Sequence, residues 1–234
     1  MRWISTIVVS LLAGFAGAAI FALSGLADRQ TQAYLMDNPE VLPQAMEVLQ
    51  SREMLARIEP MRAELEAPFP GAVLGNPQGT LTLVEFTDYA CTYCRQSVAD
   101  VQALIAANPD LRVVIREYPI LAPESADAAR MALAAAQQGR FAQFHDAMFA
   151  SGQVSPEGIE AAASAAGVDL PRARTAIASG QFEDQLQNNV FLAQNLGISG
   201  TPAWIVGNRT LDGAVGREAI GRAIAEARDA AQDG

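Results

Sequence analysis

TLTLVEFTDYACTYCRQ, residues Thr80 to Gln96, holds both cysteines of a 234-residue chain, Cys91 and Cys94, with two residues between them. Leu81 to Phe86 is a short apolar run with β-branched residues and reads as a strand, and the segment after the cysteines reads as a helix. The pair therefore falls at a strand-to-helix turn. There the unpaired N–H groups of the first helical turn and the positive end of the dipole favour a thiolate over a thiol at Cys91. Cys91 is the expected nucleophile. Cys94, one turn into the helix, is placed to attack a mixed disulfide formed at Cys91 and release the partner.

Three plainer readings compete with a redox pair: a structural bridge, half a zinc site, or two inert thiols. A bridge between Cys91 and Cys94 closes so short a loop that the chain-entropy estimate gives it roughly 2 kcal/mol or less, which makes it a poor staple. Zinc wants four ligands, and two cysteines with one histidine would need carboxylates or a second chain to complete the set. Redox function is the stronger reading of Cys-X-X-Cys beside a β/α unit.

Outward from this stretch, Gly75 to Gly79 is a turn into the strand, and Asn108-Pro109-Asp110 stops the helix near Ala107. Leu111 to Glu117 is the next strand, forming a β-α-β unit with the first. From 123 to 196 the chain is alanine-rich and helical, punctuated by glycines and by helix starts at Ser155-Pro156 and Asp169. Ala203 to Val206 and Thr210 to Leu211 read as a hairpin, and Arg217 to Ala231 as a last helix. The order is that of an α/β core with a helical insertion.

Trp3 to Leu26 carries no charge and follows Arg2, so residues 1–27 read as an export signal or an N-terminal membrane anchor. Either way the remainder lies outside the cytoplasm, where disulfides persist. Asp28 to Gln32 reads as a linker. Asn38 is then expected to cap a helix carrying Leu42, Met46 and Leu49 on one face, and Ser51 a second one interrupted at Pro60. The arm, residues 28–70, is too small to bury this stripe alone, so it packs on the body or on another copy of itself. A formal charge of −10, with every basic residue an arginine, argues against nucleic acid as a partner.

The order of elements, with Cys-X-X-Cys at the first strand-to-helix turn, resembles the thioredoxin fold with the helical insertion of the DsbA-like thiol–disulfide oxidoreductases. Three stretches carry the likeness: VEFTDYACTYC, RFAQFHDAMF and LGISGTPAWIVGNRTLDGAV. The resemblance implies a DsbA-like domain over 71–234. It makes Thr201-Pro202 the cis-proline dipeptide facing the disulfide and holding a substrate strand, and Glu85 the buried acid beneath the site. Desolvation of Glu85 would suit it to take or give the proton of Cys94. Thr92 and Tyr93, between the cysteines, are expected to tune thiolate stability and substrate access. His145, the single histidine, sits on an aromatic helical face and reads as a packing residue. The arm sequence YLMDNPEVLPQAMEVLQ resembles the ScsC/Com1-type periplasmic subset, in some of which a helical N-terminal region oligomerises the chain.

These readings describe an exported, periplasmic enzyme that forms, reduces or isomerises disulfide bonds in cysteine-containing envelope proteins. Its redox pair Cys91–Cys94 would serve in place of an organic cofactor or metal, with a membrane redox partner for recycling. The competing expectation is a non-catalytic protein on the same fold, serving in assembly or in metal sequestration with its thiolates holding copper or zinc.

Overall fold

The computed structural model describes residues 2–23 and 25–232. They divide into two units, Met1–Arg52 and Glu53–Gly234.

The first unit holds α1 (Arg2–Leu23), α2 (Leu26–Asp37) and most of α3 (Val41–Ile58). Asp28 to Gln32, expected as a linker, is helical, because no glycine or proline interrupts the stretch from Leu26 to Asp37. Asn38 also differs from expectation. It closes α2, its backbone and side-chain N–H groups both donating to the Tyr34 carbonyl, and α3 opens only at Val41. Leu42, Met46 and Leu49 are exposed. Of the expected leader 1–27, residues 1 and 24 lie outside the described ones, and among those described no helix is long and apolar enough to cross a membrane.

The second unit begins inside the stretch read as the arm, residues 28–70. Ile58 and Leu65 are fully buried, so residues 53–70 belong to the body, and the arm is divided. Pro60 does interrupt the helix, giving a 3₁₀ turn at Glu59–Met61 before α4 (Arg62–Glu66). Buried Arg116 holds this segment: its guanidinium donates to the carbonyls of Glu64, Leu65 and Ala67 at the end of α4 and to Asn189 Oδ1. Burial pulls the Arg116 pKa down to about 10, and the carbonyl cage supplies donors' partners without a bonded carboxylate. Replacing Arg116 with methionine should lower the unfolding free energy by about 3 kcal/mol or more, because several buried acceptors lose their donor at once. Urea unfolding would measure it.

Among the described residues the sheet has five strands in the order β1-β3-β2-β4-β5: β1 Val73–Gly75, β2 Leu81–Thr87, β3 Leu111–Glu117, β4 Ala203–Val206 and β5 Arg209–Asp212. β2 and β3 are parallel, joined through α5 (Thr92–Ala107), and the other pairings are antiparallel. Between β3 and β4 lies the helical insertion: α6 (Ser125–Gln137), α7 (Phe141–Ser151), α8 (Pro156–Ala165), α9 (Leu170–Ala178) and α10 (Glu183–Leu196). α10 ends at Gly197 with φ +74°, a left-handed cap that suits glycine. α11 (Gly216–Gln232) closes the chain.

Alternation along the strands sorts side chains to two faces. Val84, Phe86 and Val114 pack with Leu192 and Leu196 of α10 and with Ile58 and Leu65. Leu83, Val113 and Ile115 pack on the other face, in the core that also contains Cys91, Cys94 and residues of α6, α7 and α11. By the same alternation Glu85, Thr87 and Glu117 share the cysteine-bearing face, with Thr87 opposite Glu117 in the parallel register.

Candidate active site

Cys91 is the N-cap of α5 in an extended conformation, and its Sγ accepts the backbone N–H of Cys94 at 3.4 Å. A sulfur there meets the unpaired donors of the first turn, where negative charge is favoured. The Sγ also donates to the Thr201 carbonyl at 3.2 Å, which sets the nucleophile against the loop before β4. The Thr201–Pro202 peptide bond is cis. Cys91 and Cys94 are unbridged and buried, Cys94 completely so. Burial, with Glu85 as a secondary influence, pushes the Cys94 thiol well above its usual range.

Beneath the cysteines lies a polar patch enclosed by the core. Glu85 is 3% exposed, and desolvation raises its pKa to about 8. The structure thus gathers Cys91, Cys94, Glu85, Thr201 and Pro202 at one end of the sheet, while Tyr93, in the first turn of α5, is 61% exposed and Thr92 beside it is also exposed. His145 is buried on α7, its Nδ1 3.2 Å from the Tyr89 hydroxyl and its ring packed against Tyr89, Phe141 and Phe149. Burial brings its pKa down to about 4.

Sequence reasoning missed several members. Asp88 is buried and organises the turn into the cysteines: Oδ1 accepts the N–H of Ala90 at 2.8 Å, and Oδ2 those of Ile120 and Leu121 at 2.8 and 2.9 Å. Tyr89 donates to Glu117 Oε1 at 3.1 Å. Burial raises both Tyr89 and Glu117 above their ordinary ranges. The signal was present in the alternation of 85, 87 and 117, which puts them on one face. Among the described residues no group of three or more His, Cys, Asp or Glu is arranged to hold a metal ion.

Residues 70–226 match the family model described as thioredoxin, about two thirds of the chain. The chain belongs to the thioredoxin family. A second model, the N-terminal domain of the copper resistance protein ScsC, matches residues 32–54 of this family member. Among solved structures, a thioredoxin-like oxidoreductase from Silicibacter pomeroyi is 40% identical and covers 67% of this chain and 91% of its own, with a TM-score of 0.65. A periplasmic thioredoxin-like protein from Salmonella enterica serovar Typhimurium is 27% identical over 71% of this chain and 95% of its own, TM-score 0.62. The thiol–disulfide exchange protein alpha-DsbA2 from Wolbachia pipientis is 25% identical over 76% and 97%, TM-score 0.69. A Na(+)/H(+) antiporter NhaA 3 from Salinispora tropica is 31% identical over 66% of this chain. That match takes in 24% of the antiporter, so the chain spans about a quarter of the length of this curated relative, and less of some others. Family and structural likeness together place the chain among DsbA-like, ScsC-type thioredoxins.

Proposed function

We propose that this chain exchanges thiols and disulfides with cysteine-containing envelope proteins through Cys91 and Cys94. The observation that carries the reading is the placement of Cys91 Sγ: it caps α5 through the N–H of Cys94 and faces the carbonyl of Thr201 beside a cis-proline. Cys91 makes and breaks the bond to the substrate sulfur, and Cys94 resolves the mixed disulfide. Thr201 and Pro202 hold the substrate strand, and Thr92 and exposed Tyr93 shape its approach. Two electrons travel in the Cys91–Cys94 disulfide, so the reaction calls for neither metal nor organic cofactor.

The raised pKa of Glu85 gives that carboxyl a directional role. When a substrate thiolate attacks the oxidised pair at Cys91, Cys94 leaves as a thiolate and protonated Glu85 supplies its proton. In the reverse direction the ionised fraction of Glu85 takes the proton back. An envelope location is supported by the periplasmic relative from Salmonella and by the apolar start of the chain, read as an export leader. Recycling requires a membrane redox partner. The exposed apolar residues Leu42, Met46 and Leu49, within the segment matching the ScsC N-terminal domain, are the surface for self-association.

The reduction potential of the pair in glutathione buffers tests the reading and sets its direction, with oligomeric state measured on the same full-length sample. A value around −120 mV marks a disulfide donor, and one around −270 mV a reductant. An intermediate value in a stable oligomer marks an isomerase. A pair that never equilibrates with glutathione would overturn the proposal.

A further inference from the structure

Two hydroxyls against the resolving cysteine have no hydrogen-bond partner. Thr87 Oγ1 and Thr201 Oγ1 are both buried and unpaired, although buried polar atoms are normally satisfied. Thr87 is completely buried, on the strand position that shares a face with Glu85 and with the core containing Cys94. Its hydroxyl eases the ionisation of both Glu85 and Cys94, and the Thr201 hydroxyl eases that of Cys94. A methyl in place of either hydroxyl would fill the same space without an unmet donor. An unpaired donor is explained if its partner exists only in another state of the reaction.

We propose that the Thr87 hydroxyl is a positioning donor held ready for the Cys94 thiolate, with the Thr201 hydroxyl as a second donor to it. The inference rests on the thiol-exchange reading above and adds a residue to it. In this structure, with Cys94 unbridged, neither hydroxyl has a hydrogen-bond partner. When Cys94 loses its proton to the Glu85 carboxylate, the new negative charge accepts both O–H groups, donors set in place before charge develops. The thiolate then attacks Cys91 Sγ in the mixed disulfide. The Cys91–Cys94 bond forms, the bond from Cys91 to the substrate sulfur breaks, and the substrate leaves as a thiolate carrying the electron pair. Reversal passes through the same Cys94 thiolate, so the donors serve oxidation and reduction alike. The ionisable groups bordering this position are Glu85 on β2, Asp88 and Tyr89 after it, Glu117 on β3, Cys91 and Cys94 on α5, and His145 on α7, which reaches the patch through Tyr89.

The test uses the reduced full chain and 5,5′-dithiobis(2-nitrobenzoate), which releases one coloured thiolate when Cys91 attacks and a second when Cys94 resolves. Thr87→Val is expected to leave the first release unchanged and to slow the second about tenfold, the worth of one hydrogen bond to a charged group. Thr87→Ser is expected to restore the second release, and Thr87→Ala to behave as the valine variant does. The pH inflection of the second release should move upward in the valine variant, because Glu85 loses the same hydroxyl. A purely structural threonine would affect thermal unfolding alone. A second release at the wild-type rate in both the valine and alanine variants, or equal slowing of both releases, overturns the role of Thr87. A wild-type chain that shows no two-step release overturns the exchange reading and this inference together.

Discussion

Cys91→Ser is expected to reduce disulfide exchange to the uncatalysed rate, while Cys94→Ser keeps the first attack and stalls after it. The asymmetry follows from burial and hydrogen bonding. Cys91 Sγ receives the Cys94 N–H at the mouth of α5, whereas Cys94 is fully buried and its thiol is pushed to higher pKa by desolvation. A serine at 91 removes the sulfur that caps α5, and Cys94, which is completely buried, cannot stand in for it. A serine at 94 leaves a mixed disulfide at Cys91 that only a second thiol from solution can clear. Mass spectrometry should therefore find a covalent adduct on Cys94→Ser and none on Cys91→Ser. Full exchange activity in the Cys91 variant would end the proposal.

The setting of the two cysteines was legible because it is encoded locally. The spacing of two cysteines, a strand before and a helix after, is a short-range pattern, and β2, α5 and β3 form within a residue or two of where periodicity put them. What surrounds the reagents is long-range. Arg116 lies in the strand LRVVIRE, and most of its acceptors are backbone carbonyls about fifty residues upstream, which no side-chain pattern announces. β1 went unread for a related reason. Three residues between Gly71 and Gly75 carry no period, and the strand exists only because Val73 and Leu74 pair with Val114 and Val113 on β3. The apolar stripe of the arm shows that a face will be buried without naming what buries it, and Ile58 and Leu65 bury theirs on the body. Asn38 was read as opening a helix when it closes one, since an asparagine satisfies backbone groups at either end.

Glu85→Gln should change both the pH dependence of stability and that of resolution. In the folded chain Glu85 titrates near pH 8, against 4.5 for an ordinary glutamate. Between those values the folded state holds a proton that the unfolded state has lost, so this stability is full below pH 4.5 and disappears as pH rises through 8. His145 acts oppositely: titrating near 4 rather than 6.5, it contributes stability above pH 6.5 that is lost as pH falls towards 4. Above pH 6.5 the histidine is silent, and the raised acids alone set the slope. Urea unfolding should show wild-type stability falling from pH 6.5 to 8.5, with Glu85 accounting for about 2 kcal/mol of the fall. The glutamine variant should lack that part and keep the part belonging to Glu117, whose pKa burial also raises. In the two-step thiolate assay it should slow the second release about a hundredfold and lose the inflection near pH 8, because glutamine neither accepts nor gives the proton of Cys94. Thr87→Val, by contrast, keeps an inflection and only displaces it. An unchanged stability slope together with an unchanged second release would remove Glu85 from both accounts, leaving the Cys94 proton to pass directly to water.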